Sequence, residues 1–372
     1  MKNKKTLGTI ILLSVCCLFS CNKENQNNHE PSINYSTEYY QNVVYPKYKN
    51  GKKYKDEVAD PSVVKGDDGY YYLFSTGNGG GKCFRSSDLV NWYIYKNSVI
   101  SRPTWGDDKG GATPSVWAPD CIKIKDKWIY YYSLSGWGNP IGIGYAISDS
   151  ISGDFIDKGK LFTCEEIGIQ NAIDPCIYIE DDHIYMAVGS FQGVCIFELS
   201  DDGMSLLNGA DYQKKNKTLI AGEFGNWNGA TYEGSYIIKK DDYYYYFGSM
   251  GTCCEGKNST YKVVVGRSKN ILGPYIDDNK MPLADTTGKG KIVVWAGGKI
   301  TDYAGTGHNS IIKDDKGDYW MYYHSYVKDD DFNTRHLMID KLVWNNDWPS
   351  VEGNKPSYNE EIEGPAILVE GD

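Results

Sequence analysis

The sequence predicts an all-β protein with the architecture of a five-bladed β-propeller. Three observations lead to this fold class. One hairpin pattern recurs five times, its copies follow one another at similar spacing, and helical periodicity is nearly absent after the first twenty residues. Tyrosine is also unusually common, at 32 of the 372 residues, and aromatic side chains favour strands.

Each copy of the pattern is a short apolar strand, a turn rich in Asp, Lys and Gly, and a second strand rich in aromatic residues. This order is the signature of a β-hairpin. Further strand-like runs follow the hairpins, for example Ile141 to Ile147 and Tyr261 to Arg267. The copies begin 58, 56, 59 and 75 residues apart, at Asp60, Ala118, Asp174, Glu233 and His308.

A unit of four strands in roughly 40 to 60 residues has the size of a propeller blade. Five such units account for the chain from about Val58 to Trp344. A β-sandwich also contains many short strands, but it would not repeat the same hairpin five times, and a β-helix needs shorter repeats. We therefore expect residues 35–372 to form a single propeller domain.

The first residues have the features of a targeting segment. Three lysines precede an apolar stretch, Leu7–Phe19, which is too short to span a bilayer as a stable helix. We expect residues 1–20 to be a signal peptide. Residues 21–34, rich in Asn, Gln, Lys and Glu, then form a flexible tether.

The end of the leader, Leu-Phe-Ser-Cys at residues 18–21, resembles a bacterial lipobox. That resemblance implies cleavage before Cys21 and lipidation of its side chain. It further implies an exported lipoprotein anchored to a membrane, facing either the periplasm or the cell exterior. An ordinary secretory signal with a chance cysteine is the alternative.

The composition narrows the class of partner. A net charge of −10 argues against nucleic acid and favours a neutral substrate over an acidic one. Seven cysteines remain after Cys21, an odd number, so at least one is unpaired. They show no CxxC spacing and no clustered histidines, which argues against a zinc site. We expect no organic cofactor, and we expect a monomer because nothing indicates an obligate oligomer.

The five repeats bring chemistry-bearing side chains to one place. Their first residues occupy one equivalent position, and in a propeller such positions surround one mouth of the central axis. Alone, an Asp-Pro pair is an ordinary turn and a single histidine is an ordinary polar residue. The hypothesis of an active site rests on their equivalence, which gathers three carboxylates and one histidine: Asp60, Asp174, Glu233 and His308.

Carboxylates held close together titrate at different pH, because each anion opposes ionisation of its neighbour. One of them therefore stays protonated near neutral pH. An acid and a base that face each other are what glycoside hydrolysis requires.

At these residues the sequence resembles glycoside hydrolase family 43. The family's Asp-Pro matches residues 60–61, its Trp-Ala-Pro-Asp matches 117–120 and its Asn-Ala-Ile-Asp-Pro matches 171–175. Residues 253–277 and 305–310 resemble the arabinanase branch. The resemblance implies a five-bladed propeller and an inverting reaction.

The same resemblance implies a role for individual residues. Asp60 is expected to be the general base, Glu233 the general acid, and Asp174 the neighbour that raises the pKa of the acid. His308 matches an axial histidine that helps hold a calcium ion or another cation, mostly through water. Trp117 is expected to stack on a sugar, and Asn171 and Ser190 match polar substrate-binding positions. Cys253 and Cys254 match a pair in the branch, and a disulfide between them is left open.

One difference between this sequence and the arabinanase branch bears on the substrate. Arabinanases usually carry Glu-Ala-Pro at the acid, whereas Glu233 is followed by Gly234 and Ser235, as in xylosidase-like and arabinofuranosidase-like branches. Endo or exo action also depends on loops, for which residues 98–114 and 278–306 are the candidates. The first hypothesis is hydrolysis of α-1,5-linked arabinan.

Other functions stay open on the sequence. An exo-acting α-L-arabinofuranosidase or β-xylosidase is the alternative within enzymes. A fructan-cleaving relative is disfavoured because the Arg-Asp-Pro signature is absent, since Ile173 precedes Asp174. Outside enzymes, a non-catalytic glycan-binding lipoprotein should have lost a carboxylate, and a protein-binding propeller needs no axial carboxylates.

Overall fold

The structure is a computed structural model that describes residues 34–77, 79–225, 232–284, 290–296 and 302–369. The predicted signal peptide, Cys21 and the tether up to residue 33 lie outside the described residues. Within the described ranges no helix is long and apolar enough to cross a membrane.

About half of the described chain is in antiparallel strands. Five of the sheets surround a central axis, and two further sheets, Asn34–Tyr40 with Ile362–Val369 and Val343–Asn345 with Trp348–Ser350, have two strands each. Each of the first four sheets has four strands in sequence order, and the fifth has three. This arrangement confirms the five-bladed β-propeller.

The elements divide into a terminal strand, five blades and a closing segment. Their bounds are β1 (Asn34–Tyr40); blade I, β2 (Ser62–Lys65), β3 (Tyr71–Ser75), β4 (Lys82–Ser86) and β5 (Tyr93–Lys96); blade II, β6 (Ser115–Ile124), β7 (Lys127–Gly136), β8 (Asn139–Ser148) and β9 (Ile156–Thr163); blade III, β10 (Cys176–Glu180), β11 (His183–Val188), β12 (Val194–Leu199) and β13 (Thr218–Ala221); blade IV, β14 (Glu233–Lys240), β15 (Tyr243–Met250), β16 (Lys262–Ser268) and β17 (Lys291–Trp295); blade V, β18 (Tyr303–Lys313), β19 (Tyr319–Val327) and β20 (Arg335–Lys341); and β21 (Val343–Asn345), β22 (Trp348–Ser350) and β23 (Ile362–Val369). Two short α-helices, α1 (Cys164–Ile167) and α2 (Ala210–Asn216), lie between strands of blades II and III, and single 3₁₀ turns occur at Asp107–Lys109, Gly256–Asn258, Lys328–Asp330 and Glu352–Asn354.

One sequence-based expectation is wrong in part. Residues 278–306 are not one long loop, because Lys291–Trp295 forms β17, the outer strand of blade IV, and β18 begins at Tyr303. The strand was missed because it is short and lies among glycines.

The aromatic strands are explained by how the blades pack. Successive side chains of a strand point to opposite faces of its sheet, and in a propeller both faces are covered by neighbouring blades. On β3, Tyr71 and Leu73 pack towards blade V while Tyr72 and Phe74 pack towards blade II. The buried apolar residues accordingly form five clusters, one at each interface between blades. Strands with two buried faces therefore have near-continuous apolar and aromatic runs.

The ring is closed by residues from both ends of the chain. Beside β20 of blade V, where a fourth strand would lie, the N–H of Val44 donates to the carbonyl of Leu337 and the N–H of Val58 to that of Arg335, both at 3.0 Å. β1 pairs antiparallel with β23, and the N–H of Asp315 donates to the carbonyl of Ala366. The N-terminal segment thus completes the last blade.

A buried carboxyl group, Asp340, lies at this closure. The hydroxyl of Tyr323 donates to it at 2.6 Å, the amide of Asn42 at 3.4 Å and the N–H of Ser357 at 3.2 Å. Burial raises the pKa of Asp340 to about 7. The folded protein thus holds this proton to a higher pH than the unfolded chain, whose Asp has a pKa of about 3.9.

The free energy of unfolding should therefore fall by on the order of a few kcal/mol as pH rises from about 4 through 7. The Asp340→Asn variant stays uncharged, so its stability should vary less over this range. Urea unfolding at pH 5 and pH 8 measures the difference, with the exposed Asp331→Asn as control. Equal pH dependence in wild type and Asp340→Asn would show that Asp340 is not the group responsible.

Candidate active site

The candidate site lies at the mouth of the central axis where the innermost strands of the blades begin. At this point each blade has a residue in the left-handed backbone region, in its inner strand or two residues before it, and this conformation is uncommon for residues other than glycine. In blades II, IV and V the residue belongs to a β-bulge opposite the second strand of the blade. The five positions and their φ angles are Asp60 (54°), Ala118 (38°), Asp174 (61°), Gly234 (57°) and His308 (50°).

The predicted equivalence is therefore correct for the first, second, third and fifth repeats. In the fourth repeat it is wrong by one residue. Gly234, not Glu233, has the left-handed conformation in blade IV. β14 pairs with β15 through Glu233↔Ser249 and Tyr236↔Phe247, which leaves Gly234 and Ser235 as the bulge. Glu233 therefore lies one residue before the left-handed position of its blade, whereas Asp60 and Asp174 occupy that position themselves.

Side chains of the preceding blade hold these turns in place. Four of the five backbone N–H groups donate to a Ser, Thr or His of the blade before, and the fifth donates to a carboxylate of the site itself. The bonds are Ala118 to Thr76 Oγ1, Asp174 to Ser133 Oγ and His308 to Ser249 Oγ, each 2.8 Å, Asp60 to His324 Nδ1 at 3.2 Å, and Gly234 to Asp174 Oδ2 at 2.9 Å.

Asp60 is surrounded by groups that favour its ionised form. Its Oδ1 lies 3.4 Å from Nη1 of Arg335, 3.3 Å from Nδ1 of His308 and 3.4 Å from Nδ1 of His324. The Thr76 hydroxyl donates to its Oδ2 at 2.5 Å. Burial alone would raise the pKa of Asp60, but His308, the Arg335 guanidinium and His324 together hold it well below the usual value. Asp60 is therefore a carboxylate at neutral pH.

Glu233 and Asp174 behave in the opposite way. Burial raises the pKa of Glu233 to about 7, although hydrogen bonds from the hydroxyls of Ser190, at 2.6 Å, and Tyr261 act in the other direction. Burial also raises the pKa of Asp174, and the charges of Glu233 and Asp60 add to this effect. Both carboxyl groups therefore keep their protons to a higher pH than ordinary carboxyl groups do.

His308 lies between the carboxylates. Its Nδ1 is 3.3 Å from Asp60 and 3.9 Å from Oδ2 of Asp174. Burial lowers the pKa of His308 to about 4, so its imidazole is neutral at neutral pH. A neutral imidazole can accept a hydrogen bond from water or bind a cation.

Of the predicted substrate-binding residues, Ser190 contacts a carboxylate directly, because its hydroxyl donates to Glu233. Trp117 directly precedes Ala118, and its ring packs edge-to-face against Trp137 at 5.3 Å between centroids. Trp137 is 71% exposed, so the two indoles present an aromatic wall to solvent. The backbone N–H of Ser190 donates to the carbonyl of Asn171 at 3.1 Å, which places the two predicted polar residues together.

Several residues of the site were not predicted from the sequence. Arg335, His324 and Thr76 contact Asp60, Tyr261 contacts Glu233, and Trp137 contacts Trp117. The repeat offers a signal for the residues that lie near the end of the second strand of a hairpin and support the next blade, which are Thr76, Ser133, Ser249 and His324.

The loop after β15, at the mouth end of blade IV, contains the cysteine pair whose state the sequence left open. Cys253 and Cys254 are joined by a disulfide. The described cysteines Cys83, Cys121, Cys164, Cys176 and Cys195 are free thiols.

The chain matches known proteins over most of its length. The family described as glycosyl hydrolases family 43 matches residues 54–349. The extracellular exo-alpha-(1->5)-L-arabinofuranosidase ArbA of Cellvibrio japonicus is 34% identical over 80% of this chain and 86% of its own length. The extracellular endo-alpha-(1->5)-L-arabinanase 1 of Bacillus subtilis is 31% identical over 79% of this chain and 87% of its own.

A solved structure agrees with these matches. The alpha-L-arabinanase of Cellvibrio cellulosa, in complex with arabinohexaose, superposes with a TM-score of 0.68 and 30% identity over 80% of this chain and 96% of that one. The fold, the three carboxylates and the sequence likeness point the same way. The protein is a glycoside hydrolase, and the chain belongs to glycosyl hydrolases family 43.

Proposed function

We propose that this enzyme hydrolyses α-1,5-linked L-arabinofuranosyl chains with inversion, using Asp60 as general base and Glu233 as general acid. The observation that carries the proposal is the difference in proton affinity between the carboxyl groups at the active-site mouth. Asp60 stays ionised, whereas the pair of Glu233 and Asp174 retains a proton. An inverting glycosidase needs one carboxylate and one carboxylic acid on opposite sides of the scissile bond. Relatives named for action on arabinan support that substrate.

In this mechanism Asp60 takes a proton from the attacking water, and Arg335 keeps it anionic between turnovers. Glu233 gives its proton to the departing glycosidic oxygen. Asp174 accepts the N–H of Gly234, the residue next to the acid, and so orients the acid while opposing its ionisation. Each proton transfer contributes about 10²- to 10⁴-fold to the rate. Trp117 and Trp137 would stack on the sugars, and Asn171 and Ser190 would contact their hydroxyl groups.

Asp174→Asn should lower the apparent pKa of the alkaline limb of the kcat–pH profile. In wild type, the last proton to leave Glu233 and Asp174 leaves while the other carboxyl is already negatively charged, and this charge raises the apparent pKa. Asn at position 174 removes the negative charge. Ser190→Ala should move the limb to higher pH, because the lost hydrogen bond stabilised ionised Glu233. If the apparent pKa of the alkaline limb were unchanged in Asp174→Asn, Asp174 would not be the residue that opposes ionisation of the acid.

Product analysis tests the substrate and the mode of cleavage. Linear arabinan, branched arabinan, arabinoxylan and xylan are each incubated with wild type and with Glu233→Gln as control. Short arabino-oligosaccharides from linear arabinan would support endo cleavage. Release of single arabinose or xylose units would support the exo alternative, to which the Glu-Gly sequence at 233–234 and the likeness to ArbA point. No product from any polymer, with wild type equal to the variant, would favour the glycan-binding alternative.

We also propose a cation, calcium first, beside His308. Among the described residues no group of three His, Cys, Asp or Glu side chains is arranged to bind a metal. Calcium prefers oxygen ligands, so water molecules would coordinate it, and neutral His308 would accept a hydrogen bond from one of these waters. Chelation should lower the melting temperature, and calcium should restore it more than sodium does. A melting temperature unaffected by chelation would contradict a resident cation.

We further propose that lipidated Cys21 anchors the enzyme. Relatives named as extracellular support export. β1 pairs with β23 beside Asp315, in the turn at the far end of the inner strand of blade V, so β1 lies away from the mouth. Cys21→Ser should move the protein from the detergent-soluble membrane fraction to the aqueous fraction. Equal distribution of wild type and variant would contradict the anchor.

A further inference from the structure

The perimeter of blade I has a groove of about 410 Å³, within the range of about 300–1,000 Å³ typical of ligand sites. Tyr70 precedes β3 and Ser87 follows β4, so the groove lies at the end of the blade opposite the active-site mouth. We call it the blade I groove, and its lining includes Lys49, Tyr70, Arg85, Ser87, Tyr93 and Tyr95.

Arg85, in the wall of this groove, differs from the other arginines of the chain. The sequence has four arginines, and three of them lie within 4.0 Å of a carboxylate: Arg102 with Asp107, Arg267 with Asp347, and Arg335 with Glu57 and Asp60. Over the ranges that the structure describes, no carboxylate lies that close to Arg85. In a protein with a net charge of −10, this cation without an ion-pair partner indicates a place for an external anion.

The guanidinium of Arg85 is held in a fixed orientation. It lies 4.4 Å from the ring centroid of Tyr70 and 4.8 Å from that of Tyr95. The rings contact it through cation–π interactions, and it also donates to the hydroxyl of Tyr72. A guanidinium has five N–H donors, so others remain for a ligand in the groove that Arg85 lines. A planar edge of N–H donors matches a carboxylate in two parallel hydrogen bonds. Because the group is already ordered, binding loses less side-chain entropy.

The remaining lining suits a sugar that carries such a carboxylate. Tyr93 is 43% exposed and Tyr70 is 40% exposed, so each presents a large rigid ring to a ligand. The flat face of a pyranose is apolar and can stack on such a ring. Exposed Lys49 adds a second positive charge, and Ser87 adds a hydroxyl group.

We propose that the blade I groove is an accessory binding site for uronate residues of an acidic polysaccharide. The carboxylate binds the edge of Arg85, and the sugar ring stacks on Tyr93. The site lies away from the mouth, so it does not take part in hydrolysis. It would hold the enzyme on polymers that join acidic sugars to the neutral chains that the active site cleaves.

Titration calorimetry of the full-length protein in detergent micelles, with tri-galacturonic acid as the probe, tests the site. Arg85→Gln and Tyr93→Ala should each weaken binding at least tenfold, while hydrolysis of a short arabino-oligosaccharide and the melting temperature stay as in wild type. Arg102→Gln is the matched control, because it removes the same charge from an arginine that is already paired. A neutral xylo-oligosaccharide of equal length should bind at least tenfold more weakly than the uronate.

Three results would overturn the proposal. The first is unchanged uronate binding in Arg85→Gln and Tyr93→Ala. The second is an equal loss of uronate affinity in Arg85→Gln and Arg102→Gln, which would indicate that binding depends only on the net charge of the protein. The third is Arg85-dependent binding to anionic phospholipid vesicles without uronate binding, which would assign the groove to a lipid phosphate. Failure of the proposed hydrolysis is distinguishable, because uronate binding is measured without turnover.

Discussion

Replacing Glu233 by Gln should lower kcat on arabino-oligosaccharides by about 10²- to 10⁴-fold, because the amide cannot give a proton to the leaving oxygen. The amide has nearly the same shape and still accepts the Ser190 hydroxyl, so substrate affinity should change little. On an aryl arabinofuranoside whose phenol leaves readily as an anion, the loss should be much smaller. Initial rates on both substrates, with substrate affinity from calorimetry, measure this contrast.

The matched control is Glu255→Gln, an exposed glutamate in the loop after β15 at the same end of blade IV. Its rates on both substrates should equal those of wild type. If Glu233→Gln lost equal activity on the two substrates, the leaving group would not need Glu233, and the assignment of the acid would be wrong.

The Asp60→Asn variant should lose a similar factor of about 10²- to 10⁴-fold, but on both substrates alike. The base activates water whatever group departs, so a better leaving group cannot compensate. Because Arg335 and the neighbouring imidazoles keep Asp60 ionised, the base should limit the rate only at the acidic end of the pH profile. Rates on both substrates between pH 4 and pH 9 test these statements.

Asp56→Asn serves as control for this variant, since Asp56 is an exposed aspartate four residues earlier. It should retain wild-type rates. A rate loss in Asp60→Asn confined to the oligosaccharide would give Asp60 a role with the leaving group and would exchange the proposed parts of Asp60 and Glu233.

The fold was predictable because its physical requirement repeats. Every blade must cover two neighbours, so every blade needs the same short strands with apolar residues on both faces, and the hairpin pattern recurs. Closure of the ring was not predictable in this way. The contacts of Val44 and Val58 with β20 occur once and join residues far apart in sequence.

For the candidate site, the repeats predicted which types of residue come together, but they did not predict the exact position of each residue. Aligning the repeats by carboxylates placed Glu233 beside the aspartates, whereas the bulge in β14 places Gly234 there. A shift of one residue is invisible in a pattern of side-chain types. Arg335, on β20 of blade V, contacts Asp60 and has no counterpart in the repeat that would identify it. His324 occupies the repeat position of the supporting Ser and Thr residues, but it differs from them in residue type.

The junction between the first and last blades runs through the active site, with a consequence for when the enzyme becomes active. The N–H of Val58 pairs with Arg335, and the Arg335 side chain contacts Glu57 and Asp60, across a separation of 275 residues for the last pair. Contacts so distant in sequence carry a large loop-closure cost and depend on completion of the chain. Under the proposed mechanism, a chain whose junction has opened on heating would still contain Asp174 and Glu233 but would no longer position Asp60 as the base. Hydrolysis should therefore require that the first and last blades meet, and its loss on warming should report when they separate.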